Sequence, residues 1–221
     1  MPSSSPTEED LDNLPRYRQF LMLLSFHIFA TQGVDVAIYE THSGGEYDYT
    51  NVINPTITGI TTIGMDHVRL LGPSIEHIAW HKAGIFKPGR PAFSSPQEPV
   101  AAAVLQRRAA EKNVELEFVN VDPFLPEAPV LEPQVQKINA SLALALAKAF
   151  LKEKGPTEHR SLISQDILRG IEQYSWPGRF HQIVDGKFQW YLDIAHNELS
   201  LGAAAQWFAE TASRMQRYLL L

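Results

Sequence analysis

The sequence has no cysteine among its 221 residues, which excludes disulfides and thiolate metal sites. Any metal would have to be held by His, carboxylate, hydroxyl or phosphate oxygens, a donor set that suits magnesium better than zinc. Positive charge is also scarce: 19 Lys and Arg stand against 25 Asp and Glu, a formal charge of -6. General nucleic-acid binding needs clustered cations, so no nucleic-acid partner is expected. No uninterrupted apolar run reaches the length of a membrane span. The opening MPSSSPTEEDLDNLP lacks the basic and apolar regions of a secretory signal. These absences point to a cytoplasmic protein with no membrane partner, in which residues 1–14 form a disordered leader.

A hydrophobic content of 44% is ample for a buried core. RYRQFLMLLSFHIFATQG brings Phe20, Leu21, Leu24, Ile28 and Phe29 near one helical face and stops at Gly33, a C-cap signal. VDVAIYE, Val34 to Glu40, is apolar and β-branched, as expected of a strand buried on both faces of a parallel sheet. TITGITTIG, RPAFSS and VELEFVN read as further strands, and SIEHIAWHKAGIF and EPVAAAVLQRRAAEKN as the helices between them. Helices alternating with buried strands give an α/β class with a mostly parallel sheet flanked by helices. Proline-rich VDPFLPEAPVLEP then reads as a surface connection, VQKINASLALALAKAFLKEKG as a long helix, and SQDILRGIEQY as a shorter one. SWPGRF breaks the pattern, and the remainder reads as one strand, a loop and one helix.

Ligands of open α/β sheets sit beyond the carboxyl ends of the strands. Four loops in such positions carry unusual chemistry. They are ETHSGGEYDYTNVI with Glu40, Asp48, Thr50 and Asn51, then GMDHVRLLG with Asp66 and His67, WHKAGIFKPG with Lys82, and LDIAHN with Asp193 and His196. Taken singly, each residue has a plainer reading. Glu40 is a charged strand end, His67 a helix cap, Lys82 a solvated helix lysine and Arg179 the partner of a surface carboxylate. His42, His77 and His81 read as partly exposed polar residues, and Trp176, Trp190 and Trp207 as packing residues.

Together the segments VDVAIYE…GGEYDYTNVI, GITTIGMDHVRLLG, IAWHKAGIFKPGRPAF, KINASLALALA, WPGRF and WYLDIAHN resemble, in family order, the folylpolyglutamate synthases of the Mur ligase superfamily, above all their eukaryotic branch, fungi included. The resemblance implies an ATP-dependent amide ligase. Such an enzyme adds glutamate to the γ-carboxylate of a folate or similar carboxylate through an acyl phosphate. It implies that Glu40 and His67 hold magnesium, that Lys82 is carbamylated and positions a second magnesium, that His196 lies near the phosphates, and that Arg179, Asp193 and Asn51 meet the nucleotide. A Mur-ligase-like central domain would cover residues 15–178, with the start of a C-terminal ligase domain over 179–221.

The sequence also departs from that family. No G-T-N-G-K-G-S phosphate loop occurs, the first glycine being Gly33, so a chain shortened at both ends is expected. His42 stands where the family has a glycine, and Ile194 replaces the glycine of D-G-A-H, a strained choice wherever the backbone needs a positive φ. Three functional readings follow. One is a ligase of this type with shortened ends, another a degenerate paralogue with ATP-independent chemistry in a specialised pathway, and the third a non-catalytic protein whose exposed sheet edges are covered by a protein partner.

Overall fold

The computed structural model describes residues 14–156 and 162–212; most of the acidic leader lies outside the described residues. Three short parallel strands, β1 (Thr58–Ile60), β2 (Ala92–Ser94) and β3 (Leu116–Phe118), form one sheet in the order β1-β2-β3. Thr58 pairs with Ala92 and Ala92 with Leu116. Helix α1 (Tyr17–Gln32) precedes the sheet; α2 (Val68–Leu71) and α3 (Ile75–Lys82) join β1 to β2, and α4 (Pro99–Glu111) joins β2 to β3. The long α5 (Gln134–Lys154) and the shorter α6 (Ser164–Glu172) follow. An antiparallel hairpin of β4 (His181–Asp185) and β5 (Phe188–Leu192) then leads to α7 (Glu198–Thr211).

Strand alternation places the helices on both faces of the parallel sheet. Ile60 and Ala92 point to one face, where they join Ile78, Ala79, Ala83, Phe86, Val104 and Leu105 in the core under α3 and α4. Gly59, paired with Phe93, points the other way: a Cβ on it would lie 2.7 Å from Leu146 of α5, so the absent side chain lets that helix approach. This is the expected α/β arrangement, a mostly parallel sheet flanked by helices, followed after Trp176 by the β4–β5 hairpin and α7.

Two elements differ from the reading of the sequence. Val34–Glu40 is no strand. Between Asp35 and Thr41 the backbone makes no hydrogen bond to other backbone, and Val36 and Ile38 are 48% and 88% exposed. Its β-branched composition supplies the propensity, but a strand is made by its neighbours' hydrogen bonds, and no described segment lies alongside to provide them. Only Tyr39 is well packed, its ring 5.2 Å from Phe26 and 5.6 Å from Phe29 of α1. The helix itself is where the sequence puts it, capped by Gly33 at φ 61°, yet it has no buried residue. The second difference is β4, which pairs with β5 where the sequence suggested one strand. Phe180, Tyr191, Trp207 and Phe208 make an edge-to-face cluster that seats α7 on this hairpin.

Candidate functional site

The glycine-rich segment after Glu40 is pinned from several sides. Asp48 accepts the Ser43 and Thr50 amides at 2.9 Å each and the Thr50 hydroxyl at 2.7 Å, closing the segment into a turn. Gly45 and Gly84 allow it to press against the end of α3. A Cβ on Gly45 would lie 2.5 Å from the His81 carbonyl oxygen, and one on Gly84 would collide with the Glu46 backbone. Glu46 is then clamped by Arg108 at 2.6 Å and Lys112 at 3.4 Å, while Arg108 stacks 4.5 Å over the Trp80 ring. Asn51 is part of the same fastening: its side-chain amide donates to the carbonyls of Glu46 and Gly84, and Lys87 donates to its own carbonyl. Glu40 stands at the mouth of a cleft of about 530 Å³ between α1 and this turn, lined also by Arg18, Met22, His42 and Asp48.

The turn after β1 carries Asp66 and His67. His67 adopts a left-handed conformation, φ 50°, as it starts α2, a conformation uncommon outside glycine and stabilised here by the Asp66 carboxylate, which accepts the His67 amide at 2.7 Å. The other Asp66 oxygen reaches residues far along the chain: Asn197 donates to it at 3.4 Å, and His196 Nε2 lies 3.6 Å away. Burial pushes the Asp66 carboxyl up, but the His67 amide, the His67 and His196 rings and Asn197 outweigh it, leaving its pKa lowered. Burial likewise lowers Lys82, at the end of α3, and the charge of Asp66 opposes that shift. One carboxylate thus sits among Lys82, His67, His196 and Asn197, beyond the carboxyl end of β1.

The remaining candidates hold the second unit together. Asp193 accepts the amides of Phe180 at 2.9 Å and Ala195 at 2.8 Å, with Arg179 at 3.9 Å. Arg179 also lies 5.6 Å over the Trp176 ring. His196 turns Nδ1 to the Ile194 carbonyl at 3.0 Å, which places a proton on that nitrogen. Ile194 is absent from the positive-φ residues, so the side chain in place of glycine is unstrained. Asp66 and Asn197 are the contributors that reading residues one by one undervalued. Both lay inside quoted loops, but only the fold brings Asn197 back across 131 positions to Asp66.

Among the described residues no group of three or more His, Cys, Asp or Glu converges on one point. The donor set therefore does not make a self-sufficient metal cage. Magnesium takes only one or two protein ligands and completes its shell with water and substrate phosphates, so it would not require such a cage.

No family model matches the sequence. It is 45% identical over 207 residues to a folylpolyglutamate synthase of Neurospora crassa, covering 92% of this chain and 39% of that protein. With the folylpolyglutamate synthase of Candida albicans it shares 38% identity over 235 residues, covering 98% of this chain and 45% of the relative. Among solved structures, an FPGS–AMPPCP–folate complex superposes with a TM-score of 0.84 at 28% identity, over 94% of this chain and 55% of that one. The chain spans less than half the length of these two curated relatives.

Proposed function

The chain is related to the folylpolyglutamate synthases over nearly all its length and shares their Mur ligase fold, and from that premise we propose that it carries the magnesium-handling part of an ATP-dependent carboxylate–amine ligase, without that family's phosphate loop. In that reaction the γ-phosphoryl of ATP passes to the γ-carboxylate of a folate-like substrate. The amine of glutamate then attacks the acyl phosphate, the amide forms, and phosphate leaves. Bound magnesium would offset the negative charge that gathers on the transferring phosphoryl group.

The observation that carries this reading is the convergence around Asp66. His67 belongs to that cluster and Glu40 lines the cleft beside α1; by resemblance to the family both would hold the ion. Burial favours the neutral amine of Lys82, the form that carbamate formation with carbon dioxide requires. His196 and Asn197 close the cluster from the second unit, so that a ligand bound there touches both parts of the chain. Arg179 and Asp193 would meet the nucleotide at the boundary between a central domain, residues 15–178, and the start of a C-terminal one. The cleft beside Glu40, apolar at Leu21, Met22 and Phe29 and polar at Arg18 and Asp48, suits a flat aromatic substrate with a polar edge. No helix among the described residues is long and apolar enough to cross a membrane.

The test is calorimetric titration of the full chain with ATP and magnesium. Micromolar binding is expected, weakened at least tenfold in Glu40→Ala and in His67→Ala. A folded chain that shows no heat overturns the reading and directs attention to ATP-independent chemistry. A second reading, in which the chain works by pairing with a protein, is favoured by the apolar side chains of α1 and Val34–Ile38 left in solvent; its signature is a stable complex without nucleotide binding.

A further inference from the structure

One polar side chain lies between the two strand ends that build this site and belongs to none of the motifs. Gln97 follows β2, and its amide makes three hydrogen bonds. Its Oε1 accepts the Ile63 amide at 2.8 Å, and its Nε2 donates to the Thr61 carbonyl at 2.9 Å and to Ser94 Oγ at 2.9 Å. Ser94, fully buried, donates its own hydroxyl hydrogen bond to the Ser95 carbonyl at 2.8 Å. Both amide protons are used, and turning the group over would set NH2 against the Ile63 N–H and oxygen against the Thr61 carbonyl, so one orientation is fixed. A backbone bond from Ser95 N–H to the Ile60 carbonyl, 2.9 Å, lies alongside. Thr61 and Ile63 are the first residues of the turn that ends in Asp66 and His67, and Ile63 is anchored in the core at 3% exposure.

We propose that Gln97 is a positioning residue: it staples the exit of β1 to the exit of β2 and so sets where Asp66 and His67 stand relative to Lys82 and Asn197. Its functional meaning rests on the ligase reading given above. Gln97 touches no ligand and acts only through the backbone of residues 61–63. Glutamate in its place keeps the shape and still accepts the Ile63 amide, but it turns an oxygen toward the Thr61 carbonyl.

Hydrogen exchange of the full chain, without metal or nucleotide, tests the staple. In Gln97→Glu the amides of residues 63–70 should exchange at least about tenfold faster, the change that one unmade hydrogen bond works on a local opening equilibrium, with α4 and α5 unchanged. Gln97→Ala serves the same purpose if the charged variant fails to fold, and Ser94→Ala, which leaves the Thr61 and Ile63 bonds in place, should leave the turn protected. Unchanged exchange, or acceleration spread evenly over the chain, overturns the proposal. Titration with magnesium and ATP then separates the two ideas. Wild-type chain that does not bind refutes the ligase reading while exchange still decides the staple; wild-type binding that Gln97→Glu leaves intact, with the turn loosened, overturns the positioning role.

Discussion

Lys82 and Asp66 feel each other's charge, with opposite consequences for stability. Burial lowers the Lys82 pKa from its ordinary 10.5, so the folded chain holds that proton less firmly than the unfolded one. At neutral pH the lysine is charged at a cost to the fold, and the cost is relieved as the pH climbs toward 10.5. Lys82→Met should therefore melt higher than wild type at pH 7, by an amount that shrinks as the pH is raised. Equal melting at pH 7 would remove burial as the dominant influence. Asp66 runs the other way: its pKa is lowered from 3.8, so its contribution is complete above that value and is lost as the pH falls through the folded pKa. Asp66→Asn should cost about 0.5–1 kcal/mol at pH 7, discounted because the carboxylate is 35% exposed. The two melting curves should merge in acid.

At the scale of elements, the contact between the glycine turn and the end of α3 has no slack. Gly84→Ala drives a methyl group into the Glu46 backbone and should cost about 1–3 kcal/mol by chemical denaturation. The Glu46 clamp is nearly as sensitive. Glu46→Ala leaves buried Arg108 with Glu111, 3.0 Å away, as its remaining carboxylate, so it should cost about 1–2 kcal/mol, and the double variant with Arg108→Met less than the sum of the two single losses. Helices were the legible part of this chain, because periodicity and caps are local: the Tyr17–Gln32 helix ends at the glycine the sequence nominated. Strands were less so. β1 has three residues where TITGITTIG suggested nine, and VDVAIYE has strand composition without strand partners. The site was legible as loops of polar and glycine residues, and its members could be named. Their grouping could not be read, since it depends on Asn197 folding back to Asp66 and on Asp48, Asn51 and Asp193 spending their side chains on backbone amides and carbonyls.

For the whole molecule, the imbalance between its two sides matters most. The core lies between the parallel sheet and α3, α4 and α5, whereas Phe20, Leu23, Leu24, Ile28, Val36 and Ile38 form an uncovered apolar side. Such a surface favours self-association. The pair Leu23→Lys and Ile38→Lys should lower light scattering at high protein concentration while moving the melting temperature by no more than about 2 °C, since these side chains are already 55% and 88% exposed. A large fall in melting temperature would mean that this side is packed in solution. The hairpin unit meets the sheet at the short turn after β1, where Leu199 rests 3.0 Å from the place a Gly64 side chain would occupy and Asn197 reaches Asp66. Mechanically that turn is loaded from two sides, by Gln97 at the exit of β2 and by Asn197 and Leu199 at the start of α7, so its shape registers strain from either.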